Sequence, residues 1–266
     1  MPEGDTIYKI GAWLSPRLTE QRLDAVRLTD DVSARALSGG RVSAVRARGK
    51  HLFIDVEERL SLRSHLGMHG SWHFYAPDEK WKKPKWQASI VLRSGNVDYV
   101  CFNAKEVEVV RLKGVRRRII ENRLGPDLIQ DDVDPRVLVR RARAILDGDA
   151  LLVDVLLDQR VAAGIGNVYK SEVLFIERLH PRQTLGDTSD DELARCFKTG
   201  AALLRQNLGG GKRVTRFAGD GAGRLWVYGR SDQPCHECDS PIRTSRLGRQ
   251  FRSTYWCRHC QTPPDD

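Results

Sequence analysis

The feature that most restricts this chain is a pair of cysteine knuckles near its end. "CHEC" supplies Cys235 and Cys238, "CRHC" supplies Cys257 and Cys260, and residues 239–256 lie between them. That spacing is the signature of a four-cysteine zinc site. Each knuckle offers two thiolates, and Zn²⁺ takes four soft ligands in a tetrahedron. The intervening "DSPIRTSRLGRQFRSTYW" is expected to form a β-hairpin. A segment this short has little core of its own, so the metal would supply its folding energy. A site closed by four thiolates leaves no position for water, so one Zn²⁺ is expected, structural and not catalytic. A redox dithiol and scattered structural cysteines are the alternatives, and His236 and His259 stand inside the knuckles as substitute ligands. Cys101 and Cys196 fall outside the pattern and are expected as small buried residues.

Charge narrows the partner. The 266 residues carry 44 Lys and Arg against 35 Asp and Glu, a net charge of +9, with a pI near 9.4. The excess favours a polyanion, nucleic acid first and an acidic membrane surface second; the alternative is a merely soluble basic protein. No run of about 18 apolar residues exists to span a membrane. Glu3, Asp5 and Lys9 interrupt any secretory signal. The expectation is a cytoplasmic chain, at the nucleoid if the source is bacterial, whose cysteines serve metal rather than disulfides.

The length allows two domains, or one large and one small. Ile7, Ile10, Leu14 and Leu18, with Trp13 beside them, recur at helical spacing and predict an amphipathic helix. From Arg41 to about Leu112 the texture becomes short alternating runs rich in β-branched and aromatic residues, with "SGN" as a hairpin turn. This predicts an antiparallel sandwich or barrel with the first helix packed on it. "RLGPDLIQDDVDP" is turn-rich and acidic and marks a domain boundary. Beyond it the pattern is helical: "PRVLVRRARAIL" opens on proline, and Ser189 and Glu192 are spaced as a capping box. "GGGKRVTRFAGDGAGRL" reads as a mobile basic loop. The fold class is α+β. A β-sandwich domain is expected over 1–127, a helical domain over 128–230, the zinc finger over 231–262 and a disordered tail over 263–266.

Two basic features point at phosphate. The hairpin between the knuckles carries Arg243, Arg246, Arg249 and Arg252 with no acid between Pro241 and Trp256, and Arg252 is expected to offer its planar fork. The alternative is a solvated basic face. "DQRVAAGIGNVYKSEVLF" places Gly164, Gly166 and Asn167 at a helix start, where Asn167 can cap the helix and free N–H groups face an anion. An ordinary tight turn with a helix cap accounts for it equally.

In combination these motifs resemble the family of formamidopyrimidine-DNA glycosylase and endonuclease VIII, bifunctional base-excision repair enzymes. The resemblance runs through "MPEG", "RGKHLFI", "SHLGMHGSW", "LGPDL", "LLDQRVAAGIGNVYKSEVLF", "VYGR" and "CHEC…FRSTYWCRHCQ", nearly the whole chain. It implies a helix–two-turns–helix in the second half and damaged double-stranded DNA as partner of a monomeric enzyme. It also implies that Met1 is removed and that Pro2 becomes the terminal secondary amine. An α-amino group has a pKa of about 7.7–8.0, so a useful fraction is neutral at physiological pH. Pro2 would attack C1′ of the damaged nucleotide, expel the base and form an iminium that drives elimination of the 3′ phosphate. Glu3 would be its acid/base partner. Lys50, otherwise a surface lysine, would contact the nucleotide's phosphate or sugar. Asn167 and Arg252 would hold phosphates flanking the lesion. Glu172, otherwise a helix-surface glutamate, would lie near the flipped base. Met68, otherwise a core methionine, would fill the gap left by the extruded nucleotide, assisted by His69.

Three departures qualify the resemblance. Thr6 stands where most relatives carry a second acid, with Asp5 one place earlier; "CFNAKEVEVV" lacks the arginine and phenylalanine wedge of the formamidopyrimidine branch; and Gly209 to Gly223 does not match the lesion-capping loop of 8-oxoguanine enzymes. With "MPEG" these points favour the endonuclease VIII branch and oxidised pyrimidines, 8-oxoguanine and formamidopyrimidines remaining as substrates to test. The rival readings are a non-catalytic binder of damaged or single-stranded DNA on the same scaffold and, more remotely, an RNA-associated zinc protein.

Overall fold

A computed structural model describes residues 1–29 and 31–263. The expected tail therefore lies, apart from its first residue, outside the described residues. The chain forms two compact units, Met1–Arg123 and Leu124–Asp266.

In the first unit helix α1 (Gly4–Leu18) precedes two four-stranded antiparallel sheets. One has the order β1 (Ala25–Leu28), β6 (Ala88–Ser94), β7 (Val97–Phe102), β5 (Ser71–Tyr75). The other runs β2 (Val42–Arg48), β3 (His51–Val56), β4 (Leu60–His65), β8 (Glu106–Arg111). Ile7, Leu14 and Leu18 of α1 join Val45, Leu52, Ile54, Ile90 and Leu92 in one core. Gly11 lets the helix sit directly on β2, because a Cβ there would already touch the Ala47 Cβ at 3.4 Å. Gly95 turns the β6–β7 hairpin with φ +55, a backbone that glycine adopts without strain.

Two helices escape the periodicity argument, α2 (Asp31–Leu37) and α3 (Val115–Asn122). Half of the α3 sequence "VRRRIIEN" is charged, and the residues it buries are Arg117 and Ile120. Arg117 is buried, stacks 3.9 Å from the centre of the Phe53 ring and donates to Ser61 Oγ at 2.6 Å, with Asp55 Oδ1 at 3.3 Å. A buried guanidinium with a carboxylate, a hydroxyl and an aromatic face anchors α3 beside Ile120, which packs on Phe53 and Val110.

The second unit packs α4 (Pro135–Ile145), α5 (Leu152–Leu157), α6 (Asn167–Ile176) and α7 (Asp190–Gln206) around a core of leucine and valine, with Tyr169 and Phe197 fully buried. Asp134 caps α4 through Arg136 N–H at 2.9 Å, and the Ser189–Glu192 capping box opens α7. The antiparallel hairpin of β9 (Ile242–Leu247) and β10 (Arg252–Cys257) completes the unit. The division falls before Leu124, not after Asp127. The stretch following Arg123 is bound to the helical unit: Gly125 N–H donates to Gln159 O, Ala163 N–H to Pro126 O and Leu128 N–H to Ala163 O. The 231–262 segment is likewise no separate body, since its Cys235, Ile242 and Cys257 share a core with Phe175 and Val227. Among the described residues, no helix is long and apolar enough to cross a membrane.

Candidate functional site

In the first unit Pro2 is half-buried and stands immediately before the N-cap of α1. Glu3 is that N-cap, in extended backbone, and its carbonyl accepts from Thr6 N–H at 3.0 Å and Ile7 N–H at 3.1 Å. Its side chain makes no capping bond, yet the residue is wholly buried. The Glu3 carboxyl is thus buried one residue from the chain's second position without serving as a helix cap. Asp5 is also buried, accepts from Thr6 Oγ1 at 3.3 Å and lies 3.9 Å from Lys9 Nζ.

Lys50 lies in the Gly49–Lys50 turn of the β2–β3 hairpin, where Gly49 has φ +55. Beneath that turn is a cluster that sequence reasoning missed. His51 and His65 face each other across β3 and β4, ring centres 5.0 Å apart. Arg63 donates to His51 Nδ1 at 3.1 Å, to Glu106 at 2.8 Å and to Glu108 at 3.1 Å. Burial, with the other imidazole and Arg63, lowers His51 to about 3; burial, against the opposing pull of Glu106, lowers His65 to about 4. Both rings are therefore neutral near pH 7. Since Nδ1 of His51 accepts, its proton sits on Nε2. The signal in the sequence was the alternation of His51, Arg63, His65 and Glu106 on paired strands, which no single-strand pattern exposes.

Met68 and His69 occupy the turn between β4 and β5 and are exposed, Met68 by 49%. A core role for Met68 is thereby excluded. The crossover from β7 to β8 spans only Asn103, Ala104 and Lys105, pinned by Asn103 N–H to Gln87 O and Lys105 N–H to His65 O, both at 2.9 Å. It has no length for an inserted wedge.

In the second unit the turn before α6 is organised by Gln159, whose amide donates to Leu157 O and Ile165 O and accepts from Gly164 N–H. Gly164 has φ +123, open in practice to glycine alone. The N-cap of α6 is Gly166, so Asn167 is not the expected cap. Asn167 is the first helical residue, and its side chain crosses to the cysteine hairpin. Nδ2 donates to Ser253 O at 2.9 Å, and Oδ1 accepts from Lys170 Nζ at 2.8 Å. Lys170, wholly buried, also donates to Thr254 Oγ1 at 2.7 Å. Arg252 opens β10 half-buried, its Nε 3.4 Å from Gln250 Oε1, directly after an exposed Phe251 with φ +47.

Glu172 is neither a surface residue nor exposed to a ligand. It is fully buried, and its carboxylate accepts from Trp226, Val227 and Tyr228 N–H at 2.7–3.0 Å and from the Thr215 hydroxyl. Burial raises its carboxyl, and the four donors pull the other way. Its role is to hold the 215–228 loop. That loop is folded back on itself at its base: Thr215 and Arg216 N–H both donate to Arg224 O, and Arg216 pairs with Asp220.

Among the described residues the cluster able to hold a metal ion is Cys235, Cys238, Cys257 and Cys260, with all four sulfurs within 4.8 Å of one another. Three of the separations are 3.4, 3.5 and 3.9 Å. A tetrahedron of about 2.3 Å Zn–S bonds has edges of about 3.8 Å, so the donor set fits zinc. Neither His236 nor His259 belongs to it. The hairpin is fastened at its tip, where Asp154 accepts from Arg249 N–H, and at its base, where Gln261 Nε2 donates to Leu179 O at 2.8 Å. Cys101 and Cys196 are buried with thiols pushed up by desolvation, and so are inert.

Comparison with known proteins agrees with this geometry. Residues 1–118 match the formamidopyrimidine-DNA glycosylase N-terminal domain, and residues 124–218 match the formamidopyrimidine-DNA glycosylase H2TH domain. A probable endonuclease 8 2 of Streptomyces coelicolor is 35% identical over 99% of this chain and 95% of its own length. A DNA-(apurinic or apyrimidinic site) lyase of Mycolicibacterium smegmatis is 35% identical over 98% and 99%. A formamidopyrimidine-DNA glycosylase of Teredinibacter turnerae is 27% identical over 98% and 100%. The fold matches a Lactococcus lactis FPG mutant in complex with a Fapy-dG containing DNA at a TM-score of 0.83, with 21% identity over 98% of this chain and 100% of that one. With a buried acid behind Pro2, a glycine turn opening α6 and four converging cysteines, the chain belongs to the formamidopyrimidine-DNA glycosylase and endonuclease VIII family.

Proposed function

We propose that this DNA glycosylase with AP lyase activity works through Pro2 as a terminal secondary amine. The observation that carries the reading is the pairing of Pro2 with the buried Glu3 at the start of α1. The neutral nitrogen attacks C1′ of the extruded nucleotide. The bond from C1′ to the base breaks, and its electron pair leaves with the base, which takes up a proton. Glu3 passes protons to and from the sugar ring. The attacking nitrogen gives up its proton to leave an aminal; its C1′–O4′ bond then breaks as O4′ takes up a proton, and the nitrogen lone pair completes a ring-opened iminium, an electron sink that acidifies the C2′ proton. Loss of that proton breaks the C3′–O bond and releases the 3′ phosphate, and a second elimination can follow.

Lys50, on its hairpin turn, meets the nucleotide's phosphate or sugar as a cation. The neutral His51 and His65 below leave it without an added imidazolium charge. Asn167 spends one Nδ2 hydrogen on Ser253 and offers the second to a phosphate, with Arg252 beside it in sequence on β10. Exposed Met68 fills the gap in the stack. The four cysteines hold one structural Zn²⁺, whose work is to fold the hairpin that carries Arg252.

Oxidised pyrimidines are the favoured substrates. The short β7–β8 crossover and the higher identity to the relative named endonuclease 8 support that choice. Incision assays on duplexes bearing thymine glycol, 5-hydroxyuracil, 8-oxoguanine or an abasic site test it, the first two being cut fastest. Binding without nicking of an abasic duplex would support the non-catalytic rival instead.

A further inference from the structure

The segment joining β5 to β6 reads "APDEKWKKPKW" and lies outside every role assigned above. It is rooted on the outer face of its sheet. Trp81 stacks on Tyr75 at 5.7 Å and meets Phe102 edge-on at 5.8 Å, over a small separate core that includes Val91 and Val100. Around that root lies a surface cavity of about 830 Å³, edged by Lys80, Lys82, Lys83 and Lys85, with Arg27 across it. Its acids are Asp78, Glu79 and Asp98, fewer than the six cations Arg27, Lys80, Lys82, Lys83, Lys85 and Arg93 around it; Asp98 holds Arg93 at 2.7 Å, and Glu79 accepts from Ala76 N–H at 2.9 Å. Lys82 and Glu79 also line an adjoining aromatic groove with Trp13, Trp72 and Phe74. Phe74 of that groove is 59% exposed, and Trp86, next to Lys85 in the same segment, is 81% exposed.

We propose that segment 76–87 and the adjoining groove form a second nucleic-acid site, which takes single-stranded DNA with bases on the exposed rings and phosphates on the lysines. Charge complementarity favours a polyanion, and rings interleaved with lysines favour one whose units carry π-faces, which an acidic peptide lacks. The site serves binding and takes no part in the chemistry at Pro2, so the two can be tested apart.

The test loads the full-length, zinc-containing protein with a short duplex carrying a tetrahydrofuran abasic analogue. A labelled oligothymidylate of about twenty nucleotides is then titrated into the loaded protein by anisotropy. The oligothymidylate is expected to bind the loaded protein and quench tryptophan fluorescence. Trp86→Ala should weaken it roughly fivefold or more. A Lys82→Ala, Lys83→Ala double variant should lower the salt slope by about one. Incision of a short damaged duplex should stay within about twofold of the parent in both variants, which also shows that they fold. Failure of the loaded protein to bind the oligomer, unchanged affinity in Trp86→Ala, or preferential capture of an oligo-aspartate peptide overturns the proposal. Absent incision by the parent protein would count against the Pro2 chemistry alone, and the oligothymidylate titration of the loaded protein would still decide this proposal.

Discussion

At the scale of residues, buried acids and imidazoles divide the work between holding and reacting. Glu172 is a holding residue. Glu172→Gln replaces an acceptor oxygen with an amide donor facing N–H groups, which costs about 1–3 kcal/mol. The variant should melt several degrees lower, with faster amide exchange at Trp226 to Tyr228; unchanged exchange there would refute the anchoring role. His51 and His65 make a prediction about acid. Their folded values, about 3 and about 4, lie below the ordinary 6.5. Their contribution is therefore fully present above pH 6.5 and is lost as pH falls from 6.5 towards those values. The parent should lose more thermal stability than His51→Gln between about pH 7 and about pH 4.5, and equal losses would contradict the assignment.

At the scale of elements, the cysteine hairpin is the part that a bound metal would stabilise most. Chelation or Cys257→Ser should abolish amide protection across Ile242–Cys257 while β6 and β7 keep theirs, and DNA affinity should fall with it. A hairpin that stays protected without metal would show that Phe175, Val227 and the Lys170 bridge suffice. This hairpin was legible in the sequence because cysteine spacing is local. The α1 stripe, the Gly95 turn and the capping box of α7 were legible for the same reason. Helix α3 was not, because its anchor is an arginine whose partners, Asp55 and Ser61, are distant in sequence. The true place of Asn167 was hidden likewise: a cap and a first-turn residue look alike until Ser253 and Lys170 are brought beside it. That Glu172 holds a loop was hidden too, because its four donors come from a segment with no regular structure.

At the scale of the whole molecule, the net charge of +9 sets how the enzyme meets DNA. Its affinity for an abasic-analogue duplex should fall about a thousandfold between about 50 and about 200 mM salt, and a flat dependence would contradict a phosphate-led grip. The family models and the relatives place the chain in its family, and under the proposed mechanism the chemistry rests on its first residues. The most direct test is borohydride reduction of the protein on an abasic duplex, followed by peptide mass spectrometry of the trapped adduct. The account predicts a covalent sugar on Pro2 of a chain lacking Met1, and no adduct when Met1 is retained. An adduct on Lys50 or any other side chain would contradict it.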